Sequence, residues 1–164
     1  MTFEEYQKEA VKFRTESANN EEYLTLGLIE EVGEAAGKLA KSWRDCVWDE
    51  KAFIKELGDI LWFVANLADY YDKYNGTNFS DELKECFKMD TDAGDTVEDT
   101  MIRVACYASD TVKDCGCCFN DLVCALGDLA NRYDCTLEQL AEINLAKLRD
   151  RAARGVIKGN GDER

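Results

Sequence analysis

The sequence predicts an all-α fold, and three observations support that prediction. The 164 residues contain no proline, and no run of alternating Val, Ile, Thr and aromatic residues indicates a strand. Apolar side chains instead recur at the spacing of about 3.6 residues that is typical of amphipathic helices, among many Ala, Leu, Glu and Lys residues. The length fits one ordinary domain, and 46% hydrophobic residues suffice for its core. We therefore expect residues 1–164 to form a single helical domain.

The first three predicted helices fill the N-terminal half of the chain. Helix 1 is predicted from Thr2 to about Glu16 and ends in the polar stretch "TESANN". Helix 2 is predicted from about Glu21 to Arg44, and helix 3 from about Lys51 to Asp72. Because only the short "CVWDE" turn joins helices 2 and 3, we expect them to pack antiparallel.

An additional helical hairpin is predicted as an insert at about residues 73–120. Its first part is a long polar connection, in which Ser80 is placed to cap a short helix. A longer helix is predicted from about Thr96 to Asp114. Its apolar residues lie on one stripe, which must be buried against another surface. They are Val97, Met101, Val104, Ala108 and Val112.

Two further helices are predicted from the end of the insert onward. One covers about Phe119 to Tyr133. The last starts at "TLEQ", where Thr136 and Gln139 have the spacing of a capping box, and continues to about Arg154. A tail punctuated by glycine, "RGVIKGNGDER", follows.

Charge and hydropathy exclude several classes of protein. A net charge of −14 argues against a nucleic-acid partner, because phosphates would be repelled over most of the surface. The start "MTFEEYQKEAVKF" has no basic region followed by an apolar one, and no stretch approaches the roughly 18 apolar residues of a membrane span. We expect a soluble, cytoplasmic protein without a membrane partner.

Eight cysteines raise the question of disulfides or zinc. Without a secretory signal, and with Cys106 and Cys124 inside apolar helical patterns, we expect most of them to be small buried residues. The one cluster, "CGCC" at 115–118, has no second Cys-x-x-Cys, and the chain has no histidine. A loop with reactive thiols is therefore favoured there over a zinc site.

Two pairs of acids provide the strongest functional signal. Glu31 and Glu34 in helix 2, and Glu56 and Asp59 in helix 3, are each three residues apart and so share one helical face. If the two helices pack antiparallel, the pairs can meet, and cations must then offset their repulsion. Oxygen ligands alone favour Mg²⁺ or Mn²⁺ over zinc. The alternative for any single glutamate is a solvent-facing charge, but the broadly apolar faces of both helices argue against it.

Small residues in helix 2 predict a close helix neighbour, because glycine inside a helix costs about 1 kcal/mol relative to alanine. They are Gly33, Ala36, Gly37 and Ala40.

"EEVGE" (30–34) followed by "ELGD" (56–59) resembles the E-E-x-x-E … E-x-x-D signature of the MazG-like all-α nucleoside triphosphate pyrophosphohydrolases, a superfamily that includes the dimeric dUTPases. The ending "NLAKLRDRAARGVIKGNGDER" (144–164) is similar to that of a MazG-like subgroup found in phages and bacteria. The resemblance covers about residues 2–70 and 121–164. It implies a MazG-like helical bundle, interrupted here by the insert.

The resemblance also implies an activity. Members convert a (d)NTP to the (d)NMP and pyrophosphate with Mg²⁺, for which Mn²⁺ can substitute, and they assemble as homo-oligomers, here a dimer or tetramer. The implied partner is thus a small nucleoside triphosphate. By motif position the implied metal ligands are Glu31, Glu34, Glu56 and Asp59, with Glu30 and Glu34 as the catalytic acids. The implied substrate-binding residues are Asn66, Lys147, Arg151, Arg154 and Lys158.

Other interpretations remain open from the residues alone. The C-terminal cations can instead complement a helix dipole, and the aromatic residues Tyr6, Trp43, Trp48 and Trp62 can be core rather than base-stacking groups. A non-catalytic helical module that binds a cation or a partner is the alternative function. A ferritin-like di-iron bundle is excluded in its usual form, because it needs histidine.

Overall fold

The computed structural model describes residues 1–89 and 94–156. Within these ranges the chain forms seven α-helices and no strand, which confirms the all-α prediction. Two short 3₁₀ turns, Val11–Phe13 and Glu16–Ala18, follow the first helix. The helices are α1 Phe3–Ala10, α2 Glu21–Asp45, α3 Glu50–Asn75, α4 Phe79–Cys86, α5 Val97–Lys113, α6 Phe119–Asn131 and α7 Leu137–Ala153.

Helix α1 is shorter than predicted. A capping box between Thr2 and Glu5 starts it, but the α-helix ends at Ala10 instead of about Glu16. The Ala10 carbonyl accepts a hydrogen bond from the Trp62 indole at 3.2 Å, and Arg14 takes an extended backbone. The contact with α3 therefore ends a helix that the local pattern would have continued.

Helices α2 and α3 form the predicted antiparallel hairpin. The side chains of Asn20 and Asp49 cap their N-termini, at 2.8 and 3.0 Å from the amides they accept. The ring of Tyr23, near the start of α2, lies 5.9 Å from that of Phe63 in the second half of α3. A Cβ atom at Gly27 would come within 2.2 Å of the Phe63 ring, so glycine permits this close approach.

Helix α3 is the centre of the molecule. It contacts α1, α2, α4, α6 and α7 and is buried on most of its faces. Such a helix is apolar nearly all round, and each polar side chain buried on it needs a partner. Among the described helices, none has both the length and the apolar character needed to span a bilayer.

The segment predicted as an insert forms α4 and α5 and leads into α6. The predicted cap at Ser80 is wrong: α4 begins at Phe79, and Ser80 lies inside it. The carboxylate of Asp72, at the end of α3, instead accepts the backbone N–H groups of Phe79 and Ser80 at 2.7 and 2.9 Å. Helix α5 buries Met101 and Val104 against α6 and α2, so its apolar stripe is covered within the chain.

The expectation that most cysteines are buried is wrong. Only Cys135 is buried, whereas Cys106 is exposed and Cys124 is half-buried. In the 115–118 turn, a hydrogen bond with Cys117 and burial raise the pKa of the Cys118 thiol to about 11. A raised pKa reduces the thiolate fraction, which argues against high reactivity at Cys118.

Candidate metal centre

Three acidic side chains meet where α2 crosses α3. One carboxylate oxygen from each of Glu31, Glu56 and Asp59 lies within 4.8 Å of the others. Glu56 and Asp59 share a face of α3 because they are three residues apart, and the antiparallel α2 brings Glu31 to the same level. Three of the four predicted metal ligands are therefore adjacent. We call these three residues the carboxylate cluster.

The carboxylate cluster is only partly exposed to water. Glu56 is 5% exposed, and burial raises its pKa. Burial, together with the negative charges of Asp59 and Glu34, raises the pKa of Glu31 to about 8. When ionised, the acids of the carboxylate cluster are poorly solvated and repel one another. A bound cation relieves both effects, so cation binding is favourable here.

Two lysines supply positive charge to the carboxylate cluster. The Lys38 ammonium lies 3.2 Å from the Glu56 carboxylate, and Lys147, on α7, pairs with Asp59. Asn144, also on α7, donates its amide N–H to the other oxygen of Asp59 at 2.9 Å. The ammonium groups act as internal counter-ions, because each neutralises one carboxylate of the cluster.

The chemistry of this donor set fits a hard divalent cation. The donors are carboxylate oxygens, with no nitrogen or sulfur ligand in the group. Mg²⁺ and Mn²⁺ prefer oxygen ligands, whereas zinc favours cysteine and histidine. Lys38 and Lys147 already form ion pairs with two of these carboxylates, so the site accommodates positive charge.

Glu34 and Glu30 lie beside the carboxylate cluster rather than in it. Glu34 is close enough for its charge to raise the pKa of Glu31, but it does not belong to the group of three. Both residues line a shallow cavity of about 310 Å³ on α2, together with Lys38. Glu30 is exposed and Glu34 is half-buried.

Gly33 and Gly37 have no close neighbour in the described part of the chain, whereas Ala36 from the same predicted set packs against the core. A Cβ atom added at Gly33 or Gly37 would meet nothing within 4 Å. Within the chain the prediction is therefore wrong at the two glycines, because residue size alone does not tell which face of a helix its neighbours will cover.

A basic groove of about 780 Å³ runs between α3 and α7 and reaches Glu56. Three of the predicted substrate-binding residues, Lys147, Arg151 and Arg154, lie along it. Lys158 lies outside the described residues. We call this cavity the cationic groove. The cations that line it are Lys38, Lys51, Lys55, Lys147, Arg151 and Arg154.

Asn66, the remaining predicted substrate-binding residue, is not brought to the groove. It is fully buried in α3, where its amide N–H donates to the Trp62 carbonyl at 2.8 Å. A substrate cannot reach this side chain in the conformation observed. The helical stripe that relates Asn66 to Asp59 continues into the core because α3 is covered on most sides.

Sequence reasoning missed Lys38, Asn144 and the hydroxyl of Tyr6. Lys38 was detectable in principle, since it lies seven residues after Glu31 on the same helical face. Asn144 likewise precedes Lys147 by three residues. Tyr6 belongs to the core, as does Trp62, but its hydroxyl hydrogen-bonds Asn144.

Comparison with known proteins matches this part of the fold to a family. Residues 19–91 match the MazG nucleotide pyrophosphohydrolase domain. This stretch of the chain is MazG-like. The match contains α2, α3 and the whole carboxylate cluster, and it ends inside the segment predicted as an insert. It covers somewhat less than half of the chain.

One curated relative has a phage source. The chain is 40% identical over 60 residues to the Gene 37 protein of Mycobacterium phage L5. The alignment covers 34% of this chain and 53% of the relative, so the chain spans about half of the relative's length. No solved structure matches.

Proposed function

We propose that this protein is a Mg²⁺-dependent nucleoside triphosphate pyrophosphohydrolase that converts a (d)NTP to the (d)NMP and pyrophosphate. The observation that carries the proposal is that Glu56 of the carboxylate cluster lines the cationic groove, together with Lys147, which pairs with Asp59. A triphosphate needs both features, a divalent cation and several basic side chains. The family match over residues 19–91 supports the same reaction class.

The metal ligands in this proposal are Glu31, Glu56 and Asp59, with Glu34 completing the set. Bound Mg²⁺ would neutralise phosphate charge and lower the pKa of the attacking water. Glu34 and Glu30 lie next to the carboxylate cluster on α2, where a carboxylate can accept a proton from that water or orient it.

The lysines have two successive partners in this proposal. Without a divalent cation, Lys38 and Lys147 neutralise Glu56 and Asp59. Once a divalent cation balances those acids, the two ammonium groups can bind phosphate oxygens in the cationic groove, which both residues line. Arg151 and Arg154 lie further along the groove and extend the phosphate-binding surface.

We further propose a homo-oligomer in the cytoplasm, built from one domain per chain with the insert included. Large apolar side chains on α2 and after it support association: Leu26 is 71% exposed and Trp43 is 58% exposed. The open glycines Gly33 and Gly37 lie between them on the same helix. Apolar surface of this kind is commonly covered by another chain.

A panel of eight NTPs and dNTPs with Mg²⁺, scored for released pyrophosphate, tests the activity. We expect pyrophosphate and the monophosphate from at least one nucleotide, and none after EDTA or in Asp59→Asn. That variant should keep its helical circular dichroism. Cation binding without pyrophosphate release from any nucleotide would instead support the non-catalytic module.

A further inference from the structure

We propose that Tyr6 is a positioning residue that orients Asp59 through Asn144. The Tyr6 hydroxyl donates to Asn144 Oδ1 at 2.9 Å, and Asn144 Nδ2 donates to Asp59 Oδ1 at 2.9 Å. The three groups come from α1, α7 and α3, so the relay joins three helices at one carboxylate. The inference rests on the proposed function, because it assigns Asp59 to a metal.

The Asp59 carboxylate determines which group donates in each hydrogen bond of this relay. An ionised carboxylate only accepts hydrogen bonds, so Asn144 must turn its NH₂ group toward Asp59. The amide oxygen then faces Tyr6 and needs a donor, which the phenol provides. Burial and the negative charge of Asp59 raise the pKa of Tyr6 well above its ordinary value, so the hydroxyl keeps its proton.

Burial makes the phenol necessary for this orientation. Tyr6 is 0% exposed and Asn144 is 2% exposed, so water has little access to either polar group. Without the hydroxyl, the Asn144 oxygen has no donor in a buried place, which is costly. The amide is then less firmly held, and with it the Asp59 oxygen to which it donates.

Packing places Asn144 where the relay needs it. A Cβ atom at Gly58 would lie 3.2 Å from Asn144 Cβ, so the glycine lets α7 lie close against α3. Asn144 holds one oxygen of Asp59 while Lys147 pairs with the other. A cation that displaces Lys147 therefore meets an Asp59 carboxylate that Asn144 already orients. Hydrogen bonds from outside the ligand set commonly tune metal sites in this way.

The test compares two buried tyrosines in the full-length protein. Tyr6→Phe removes the hydroxyl of the relay and keeps the ring. Tyr71→Phe is the matched control, because Tyr71 is equally buried but donates to Glu21 at 3.2 Å, outside the relay. Mn²⁺ serves as the probe without nucleotide, and binding is followed by the loss of the free-ion electron paramagnetic resonance signal.

We expect Tyr6→Phe to weaken Mn²⁺ binding about threefold to tenfold, because Tyr6 acts through Asn144, and losing a direct outer partner of a metal ligand costs about tenfold or more. Tyr71→Phe should leave the dissociation constant within about twofold. Because a general loss of packing would affect both variants alike, their melting temperatures are compared as well. A second variant, Asn144→Leu, should make Tyr6→Phe nearly silent when combined with it, because the two act as one unit.

Equal Mn²⁺ affinities for Tyr6→Phe and Tyr71→Phe, or additive effects of Tyr6→Phe and Asn144→Leu, would overturn the relay. Failure of the proposed function gives a different pattern. A wild-type protein that binds no Mn²⁺ refutes the metal centre and the relay together. One that binds Mn²⁺ tightly but releases no pyrophosphate refutes the reaction and leaves the relay standing.

Discussion

Single residues decide how much unbalanced charge the carboxylate cluster carries. Glu56 and Asp59 each pair with a lysine. For Glu31, the positive charge of Lys147 offsets only part of the effect of burial and of the neighbouring acids, and the pKa of Glu31 stays at about 8. Ionisation of Glu31 in the folded protein is thus unfavourable without a divalent cation.

Glu31→Gln should stabilise the metal-free protein and abolish pyrophosphate release. Glutamine keeps the shape of the side chain but cannot ionise, so the repulsion is removed along with one metal ligand. We expect a melting temperature in EDTA a few degrees above that of the wild type. Glu142→Gln, at an exposed position on α7, is the control and should change neither property. A Glu31→Gln variant that melts below the wild type in EDTA would contradict this account.

The raised pKa of Glu31 also makes the stability of the metal-free protein depend on pH. The pKa of Glu31 is raised in the folded state from an ordinary 4.5 to about 8. Between these values the unfolded chain loses the proton and the folded chain keeps it, so stability falls as pH rises. Below pH 4.5 the effect is absent, and above pH 8 it is complete. The measurement is the melting temperature of wild type minus that of Glu31→Gln in EDTA, at several pH values. A difference that does not become more negative from pH 5 to about 8 would refute the shift.

At the scale of the helix, α7 connects the core to the cationic groove. Asn144, Lys147, Arg151 and Arg154 follow one another at intervals of three or four residues and so lie on one face. Arg149 points elsewhere, with its guanidinium 3.9 Å from the Glu9 carboxylate. Arg151 and Arg154, the residue that caps the C-terminus of α7, therefore lie at the groove, whereas Arg149 of the same helix lies outside it.

Arg151→Ala should raise KM for the nucleotide about tenfold, the value of one charge-assisted hydrogen bond to phosphate. Its effect on kcat should be small, because ground-state binding is what is lost. Arg149→Ala is the matched control on the same helix and should leave both constants unchanged. Steady-state pyrophosphate release measures both. If the two variants behave alike, α7 does not present Arg151 to the substrate.

For the whole molecule, the main question is which apolar surface remains for a second chain. Helix α5 covers part of α2 within the chain, so that part of α2 is closed to a second chain. Leu26, Ile29 and Trp43 remain exposed along the uncovered side of α2. Exposed apolar side chains of this size favour association even in an acidic protein, since hydrophobic burial acts at short range and salt screens the charge.

We expect light scattering at low micromolar concentration to give a dimer or tetramer, with and without Mg²⁺ and nucleotide. Leu26→Glu should shift the protein toward monomer, because it places a charge in the proposed contact. Ile102→Glu, at a 61% exposed position on α5, is the matched substitution and should leave the assembly intact. A fully active monomeric wild type would show that the insert has replaced the partner chain.

The sequence by itself determined the helices and the spacing of the acids. The bounds of α2, α3 and α7 were predicted to within about three residues, because capping side chains and apolar periodicity act over single turns. The i, i+3 spacing of Glu56 and Asp59 is likewise local, and it already placed both carboxylates on one face. Because a short turn joins α2 to α3, antiparallel packing was predictable, and with it the contact of these two carboxylates with Glu31.

Only the tertiary structure decided which partners the acids have. Tyr6 and Asn144 are 138 residues apart in the chain, and Asn144 and Asp59 are 85 apart. Such contacts depend on how each helix is rotated and how closely it approaches its neighbour, which periodicity along one helix does not specify. The same holds for the burial of Asn66 and for the cap of α4, where tertiary contacts overrode the local pattern. Helices follow from interactions within a turn, whereas the chemistry of this site follows from the packing between them.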